Sequence, residues 1–121
     1  MTDIEKRIIE LVKKCDSDFF TITYLDSDKP CFISESVFNV TGFLAKELSG
    51  EMGGLNSIIY EEDRFKVKKE LTQLITSKDN SKKVSFRIIT KDNIIKEILQ
   101  TIYLTRDENG KVEIIETINK D

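Results

Sequence analysis

The side chains that most often carry acid-base or metal chemistry are scarce in this 121-residue chain. It contains no His, which removes at once the commonest general base, the usual haem ligand and the main nitrogen ligand of zinc. Its two cysteines, Cys15 and Cys31, lie far apart with no CxxC partner, so neither a zinc site nor a disulfide framework is suggested. Cys31 falls in a short apolar run and reads as a small buried hydrophobe; Cys15 reads as a packing residue of the first helix. Nucleophilic or acid-base work would fall to Lys, Asp, Glu, Tyr or Cys. Glu61-Glu62-Asp63 gathers three carboxylates, but at the start of a helix such charge complements the dipole. The strand polars Ser85, Arg87, Gln100, Thr101 and Tyr103 are better suited to lining a ligand pocket. Arg87, Gln100, Thr101 and Tyr103, with Phe38 and Tyr60, form the candidate pocket set, although strand alternation sends about half of the strand polars to the other face. There is no Trp, so a flat cofactor would stack on one of seven Phe or three Tyr.

These residues need a scaffold, and the chain length matches one domain. Apolar residues make up 39% and charged residues 34%, enough for one core. No apolar run approaches the ~18 residues of a transmembrane helix. The start, Met1-Thr2-Asp3-Ile4-Glu5, is unlike a basic secretory leader. A soluble, cytoplasmic protein is expected. With 19 basic against 22 acidic residues and a net charge of −3, neither sign forms a block that would draw nucleic acid or an anionic bilayer.

Residues 4 to 15 read as an amphipathic helix, capped by Thr2 with Glu5 as capping-box partner. Ile4, Ile8, Leu11, Val12 and Cys15 share one stripe. A helix this short is marginal alone, so the stripe must dock either on its own domain or, through Ile4, Ile8, Leu11 and Cys15, on the same helix of a second chain. Residues 19 to 25 suggest a strand, residues 26 to 30 a turn, and residues 31 to 33 a returning strand. Short helices follow near 35 to 40 and 44 to 48, stopped by Gly42 and Gly50, then a loop over 51 to 56. A longer helix runs from Glu61 to about Ser77, and three strands cover 84 to 91, 94 to 105 and 112 to 118. Phe20, Ile22, Phe38, Leu71, Leu74, Phe86, Ile98 and Ile102 are the expected core, so Phe38 is counted both there and in the pocket set. The order predicts an α+β fold with a five-stranded antiparallel sheet, the helices grouped between strands 2 and 3 and an amphipathic helix in front.

Four joints of this pattern carry a family likeness. Gly42-Phe43 is followed by Glu47-Leu48 and Gly50; Tyr60-Glu61-Glu62-Asp63-Arg64 opens the long helix; Asp107 to Gly110 makes the last turn; and Thr117-Ile118-Asn119 closes the chain. In this order and spacing they resemble the PAS domain family from Phe19 to Asn119, giving a division into a leading helix (1–16) and a PAS domain (17–121). Glu61 departs from the family's usual proline, Asn93 from a common turn glycine, and Thr117 and Asn119 from the polar ends of a terminal Asp-Ile-Thr.

The resemblance implies a sensory or regulatory module of a signalling protein, such as a histidine kinase or diguanylate cyclase, without catalysis of its own. It implies a homodimer whose packing passes the state of a small-molecule pocket to an output segment after Asp121, with Thr117 and Asn119 as the relay. No cofactor is expected. Haem-binding members generally use His. The light-sensing flavin branch needs a Cys in the stretch matching Gly54 to Asp63, which has none, and a Gln where Ile115 stands. The alternatives are a ligand-free interaction domain and, further off, a small enzyme.

Overall fold

Thr2 and Glu5 do what their spacing suggests: the Glu5 amide donates to Thr2 Oγ1, and the Thr2 hydroxyl donates back to the Glu5 carboxylate. From this cap runs α1, Asp3–Lys13. The computed structural model describes residues 2–13, 18–25, 32–49 and 54–121. Cys15, Cys31, Gly50 and the turn expected at 26 to 30 lie outside the described residues.

The remaining elements are β1 (Phe19–Tyr24), β2 (Phe32–Ile33), α2 (Val37–Thr41), α3 (Ala45–Ser49), a 3-10 helix (Leu55–Ile58), α4 (Glu61–Thr76), β3 (Ser81–Ile89), β4 (Ile95–Arg106) and β5 (Val112–Lys120). The five strands form one antiparallel sheet in the order β2-β1-β5-β4-β3. The α+β architecture, with helices grouped between β2 and β3, is the expected one. Two elements differ. Leu55 and Asn56, the end of the stretch read as a loop over 51 to 56, belong to the 3-10 helix, and β3 begins at Ser81, three residues before the expected start at Val84. The polar start of β3 is held by its register with Thr101 to Tyr103 and by an ion pair from Lys82 to Glu70 on α4.

Each face of the sheet buries apolar side chains against a different element, the outer one only at β1 and β5, while Ile95 and Leu99 on the outer face of β4 stay exposed. On the inner face, Phe19, Val84, Phe86, Ile88, Ile98, Ile102 and Leu104 meet Val37, Val40, Leu48, Ile58 and Leu74 in the main core. On the outer face α1 lies across β1 and β5: Leu11, only 1% exposed, packs with Phe20, Ile22 and Ile114, flanked by Ile4 and Ile8. Within the chain the helix stripe docks on its own sheet, with Leu11 buried there and Ile4 and Ile8 partly buried beside it. Arg7 fastens the contact, pairing with Glu116 on β5 at 3.1 Å and with Asp3 at 3.0 Å. Asp3 also accepts the Tyr24 hydroxyl at 2.9 Å. Phe38, expected in the core, is instead 51% exposed on α2.

The joints that carried the family likeness are caps and turns. Gly42 ends α2 at φ +78, and a Cβ there would sit 3.2 Å from that of Lys91, so the position needs glycine both for its backbone and for its closeness to the β3–β4 turn. Glu47 caps α3 by accepting the Leu44 amide, and Asp107 accepts the amides of Asn109 and Lys111 in the last turn. The far end of α4 is closed by a residue that no motif marks. Arg106, at the end of β4, donates to the carbonyls of Leu74, Ile75, Ser77 and Asp79. It places a cation where the helix leaves its last acceptors unpaired.

Two outcomes follow. Leu11→Ala should cost about 2–4 kcal/mol in urea unfolding, with a Tm that does not change with protein concentration; a concentration-dependent loss would instead place Leu11 between chains. Arg106→Met should lower stability by about 1–3 kcal/mol, with hydrogen exchange rising first at the end of α4.

Candidate functional site

The inner face of the sheet is not uniformly apolar. Along β1 (Phe19–Tyr24) the outward residues are Phe20, Ile22 and Tyr24, and Thr21 and Thr23 point inward. In register, Thr21 stands beside Thr117, which stands beside Ile102; one row away, Phe19, Asn119 and Gln100 are neighbours. The sheet therefore presents short polar side chains where its flanks present Phe86 and Ile98, and the helical layer does not close over them.

The result is a cavity of about 370 Å³. Its sheet wall is Thr21, Thr23, Gln100, Ile102, Ile115 and Thr117; the opposite wall is Gly54, Leu55 and Asn56 from the 3-10 segment, with Val67 and Leu71 from α4. Every one of these described residues is uncharged.

Three polar side chains of the sheet wall, Thr21, Thr117 and Gln100, are buried and are joined to one another through Asn119. Thr21 and Thr117 share a hydrogen bond between their hydroxyls. Asn119 Nδ2 donates to Thr117 Oγ1 at 3.0 Å, and Gln100 Nε2 donates to Asn119 Oδ1 at 2.8 Å. Asn119 is wholly buried. Such a set tolerates burial because its members satisfy each other. Three of the four also line the cavity, so a guest there would meet hydroxyl and amide groups already held in place. The pair expected to act as a relay, Thr117 and Asn119, stands in the middle of this chain of bonds.

The other pocket candidates are placed differently. Gln100 lines the cavity, but Thr101 and Tyr103 project from the opposite face of β4, as strict alternation requires. Phe38 lies out on α2. Arg87 and Tyr60 make a separate unit at the edge strand. The Arg87 guanidinium donates to both carboxylate oxygens of Asp63, at 3.0 and 2.8 Å, and its backbone N–H donates to the same group at 2.7 Å. Tyr60 lies beneath it, with 4.4 Å from the guanidinium carbon to the ring centre. Asp63 is thus more than a dipole complement: it ties the first turn of α4 to β3, whereas Glu61 and Glu62 are exposed. The Arg87 hydrogen bonds hold the Asp63 carboxyl at about 2, below its ordinary 3.8.

Thr21, Thr23, Leu55, Asn56 and Val67 were not among the sequence candidates. The signal was present in the alternation of Phe-Phe-Thr-Ile-Thr-Tyr, but it is ambiguous on a strand whose outer face is also covered.

The likeness to known proteins accords with this geometry. A profile described as the PAS fold matches residues 30–119. The chain belongs to the PAS-fold family. No curated protein matches it. Among solved structures it is similar to the PAS domain of the fruit-fly ELK potassium channel, with TM-score 0.72 and 15% identity over 100% of this chain and 98% of that one. It is also similar to a sensory box histidine kinase/response regulator from Burkholderia thailandensis, with TM-score 0.71 and 16% identity over 95% and 83%. The N-terminal domain of a diguanylate cyclase with PAS/PAC sensor from Marinobacter aquaeolei gives 0.71 and 13% over 85% and 93%. At such identities the likeness is one of fold. Among the described residues, no helix is long and apolar enough to cross a membrane.

The Asp63 clamp has a pH signature. Because its folded value is depressed, its contribution is complete above the ordinary carboxylate range and is lost as pH falls through about 2. Asp63→Asn should lower Tm at neutral pH by about 3–8 °C, and the gap to the parent chain should narrow from pH 4 towards pH 2. A gap unchanged over that interval would mean that the charge of Asp63 is not what holds α4 to β3.

Proposed function

We propose that this PAS domain is a cytoplasmic sensory module of a signalling protein: it binds a small molecule in the cavity between the sheet and α4 and passes occupancy on through β5. The observation that carries this reading is the hydrogen-bonded chain Gln100–Asn119–Thr117–Thr21, three of whose members face the cavity and whose central member is two residues from Asp121. A guest that bonds to Gln100 or Thr117 competes with bonds that fix the position of Asn119. The Asn119 carbonyl accepts the Asp18 amide, and the Asp18 carboxylate accepts the Asp121 amide, so the entry to β1 and the exit of β5 are coupled at the end where an effector would be joined. In this reading the chain senses rather than catalyses, since its cavity brings together hydroxyls and amides but no acid, base or thiol among the described residues.

The test combines native mass spectrometry of the protein as purified with a thermal-shift screen of small molecules on the parent chain and on Leu71→Trp, which fills the cavity from α4. A ligand at ~100 times its Kd adds ~2.7 kcal/mol of stability. We expect that gain in the parent chain and its loss in Leu71→Trp, with the circular dichroism of the two unchanged. A stabilising ligand that ignores Leu71→Trp would place the site outside this cavity, and a screen without any stabilising compound would favour a ligand-free interaction domain.

A further inference from the structure

The side of α4 (Glu61–Thr76) that faces away from the domain has a pattern of its own. Leu74 is buried at 3% exposure, and Val67 and Leu71 line the cavity. At ~3.6 residues per turn, Phe65 projects from the side opposite Leu74. It is the most exposed large apolar side chain among the described residues, at 77% against 55% for Ile94, the next. Glu61, Glu62, Lys68, Lys69 and Thr72 are all exposed and lie within about 60° of it around the helix. An aromatic residue framed by charges therefore faces outward from a helix whose other side is packed.

The charges are ordered along the axis. Both acids precede Phe65, by about 4.5 and 6 Å, and both lysines follow it at the same distances. Glu61 and Lys68 lie on one flank of the ring, Glu62 and Lys69 on the other. Within a flank, acid and base are about 10 Å apart along the helix and do not meet. Glu62 comes within 3.8 Å of Arg87, but the closer partner of Arg87 is Asp63 at 2.8 Å, and the Glu62 side chain stays 74% exposed. A two-fold axis at Phe65, perpendicular to the helix, reverses the order of charges while keeping the flanks. It sets Glu61 against Lys68 of a second copy on one flank and Glu62 against Lys69 on the other, with the two Phe65 rings at the centre. A parallel arrangement would set acid against acid and base against base.

The geometry points to a second copy of this chain as the occupant of this surface: two α4 helices pack antiparallel about Phe65, in an isologous contact that closes on itself. The contact is small. A standard interface takes about 20–30 residues from each side, and this strip offers far fewer. The pairing is accordingly weak, with a dissociation constant of about 0.1–1 mM, and the chain is monomeric at the micromolar concentrations of an unfolding experiment. It does not depend on the cavity holding a guest, although one helix serves both: Val67 and Leu71 face the cavity, and Phe65 faces the second chain.

Sedimentation equilibrium of the full chain from about 10 µM to about 1 mM reads the association. The parent chain should pass from monomer towards dimer over this range. Phe65→Ala should weaken the pairing about 2- to 10-fold while leaving Tm unchanged. Two charge-reversed chains make the test specific: Glu61→Lys/Glu62→Lys carries only cations on this strip, and Lys68→Glu/Lys69→Glu only anions. Each alone should remain monomeric up to about 1 mM, whereas an equimolar mixture should associate, and less so in ~1 M salt, where the screening length falls to ~3 Å. Circular dichroism checks that each is folded. Reversing Glu61 and Glu62 also removes acids from the first turn of α4; where that chain fails to fold, Lys68→Glu/Lys69→Glu alone and Phe65→Ala carry the test, since they alter only exposed residues beyond that turn. A parent chain that is monomeric at about 1 mM overturns the proposal. So does association that survives Lys68→Glu/Lys69→Glu unchanged, which places any contact elsewhere, and so does a mixture of the two folded reversed chains that stays monomeric.

Discussion

The constraint on which the rest of this structure depends is that β5 has no solvent face along its middle. Glu116 points to α1, where Arg7 meets it; Thr117 points to the cavity; Ile118 returns to the α1 side; and Asn119 is buried on the inner side. A strand buried on both faces and paired on both edges cannot slip by one residue without putting Ile114 and Ile118 into the hydroxyl network and Thr117 under a helix. Its position is therefore fixed by three sets of contacts that share a single backbone. The least redundant of these sets is the polar one: an aliphatic contact displaced by half an ångström is weakened, whereas a hydrogen bond is exchanged for another or lost.

Charge is distributed so as to leave that set alone. The ion pairs lie at seams between elements: Arg7 with Glu116 joins α1 to the sheet, Asp63 with Arg87 joins the start of α4 to the edge strand, Glu70 with Lys82 joins the middle of α4 to the same strand, and Glu47 with Lys91 joins α3 to the β3–β4 turn. Each is partly exposed and so avoids most of the desolvation that a buried pair would suffer. Around the inner cavity no described group competes with a guest by Coulombic attraction. The selectivity of that compartment is then one of shape and hydrogen-bond pattern. This is a sharper filter than apolar burial alone, since a site built to bond a polar group rejects an analogue that lacks it.

How far the sequence could be read follows from the same geometry. The helices and strands announced themselves through Thr2 with Glu5, the alternation on β3 to β5 and the glycine after α2, because those signals are local and each has one physical meaning. The 3-10 helix and the first residues of β3 were not legible: Leu55 to Ile58 has no periodic pattern of its own, and Ser81 to Lys83 are polar residues recruited by pairing with β4 and by Glu70. The site was partly legible. Gln100 could be picked out as a polar residue in an apolar strand, but Thr101 and Tyr103 looked equally suitable, and only the register decides between the faces. On β1 the expected core residues Phe20 and Ile22 are buried, but beneath α1 and not in the main core, and the cavity threonines lie on the other face. Alternation distinguishes a buried face from a wet one, and here α1 makes the outer face as apolar as any core. Arg87 was taken for a pocket residue because a cation within a strand invites a functional reading, when an acid at the start of α4 was the partner that explained it.

The residues that reveal the family and those that line the cavity are different residues. Gly42, Glu47, Asp63 and Asp107 do work that any chain with these joints must do: they end helices, cap them, tie α4 to the edge strand and turn the chain back. Thr21, Thr23, Asn56, Gln100 and Thr117 line the cavity with polar groups, and around a void they make fewer packing contacts than a filled aliphatic core would. That separation explains how a chain can share its fold with domains of a potassium channel, a histidine kinase and a diguanylate cyclase at only 13–16% identity, since the joints serve the fold. The family match fixes the architecture that encloses the cavity; the polar row of the sheet wall sets the chemistry that the cavity offers.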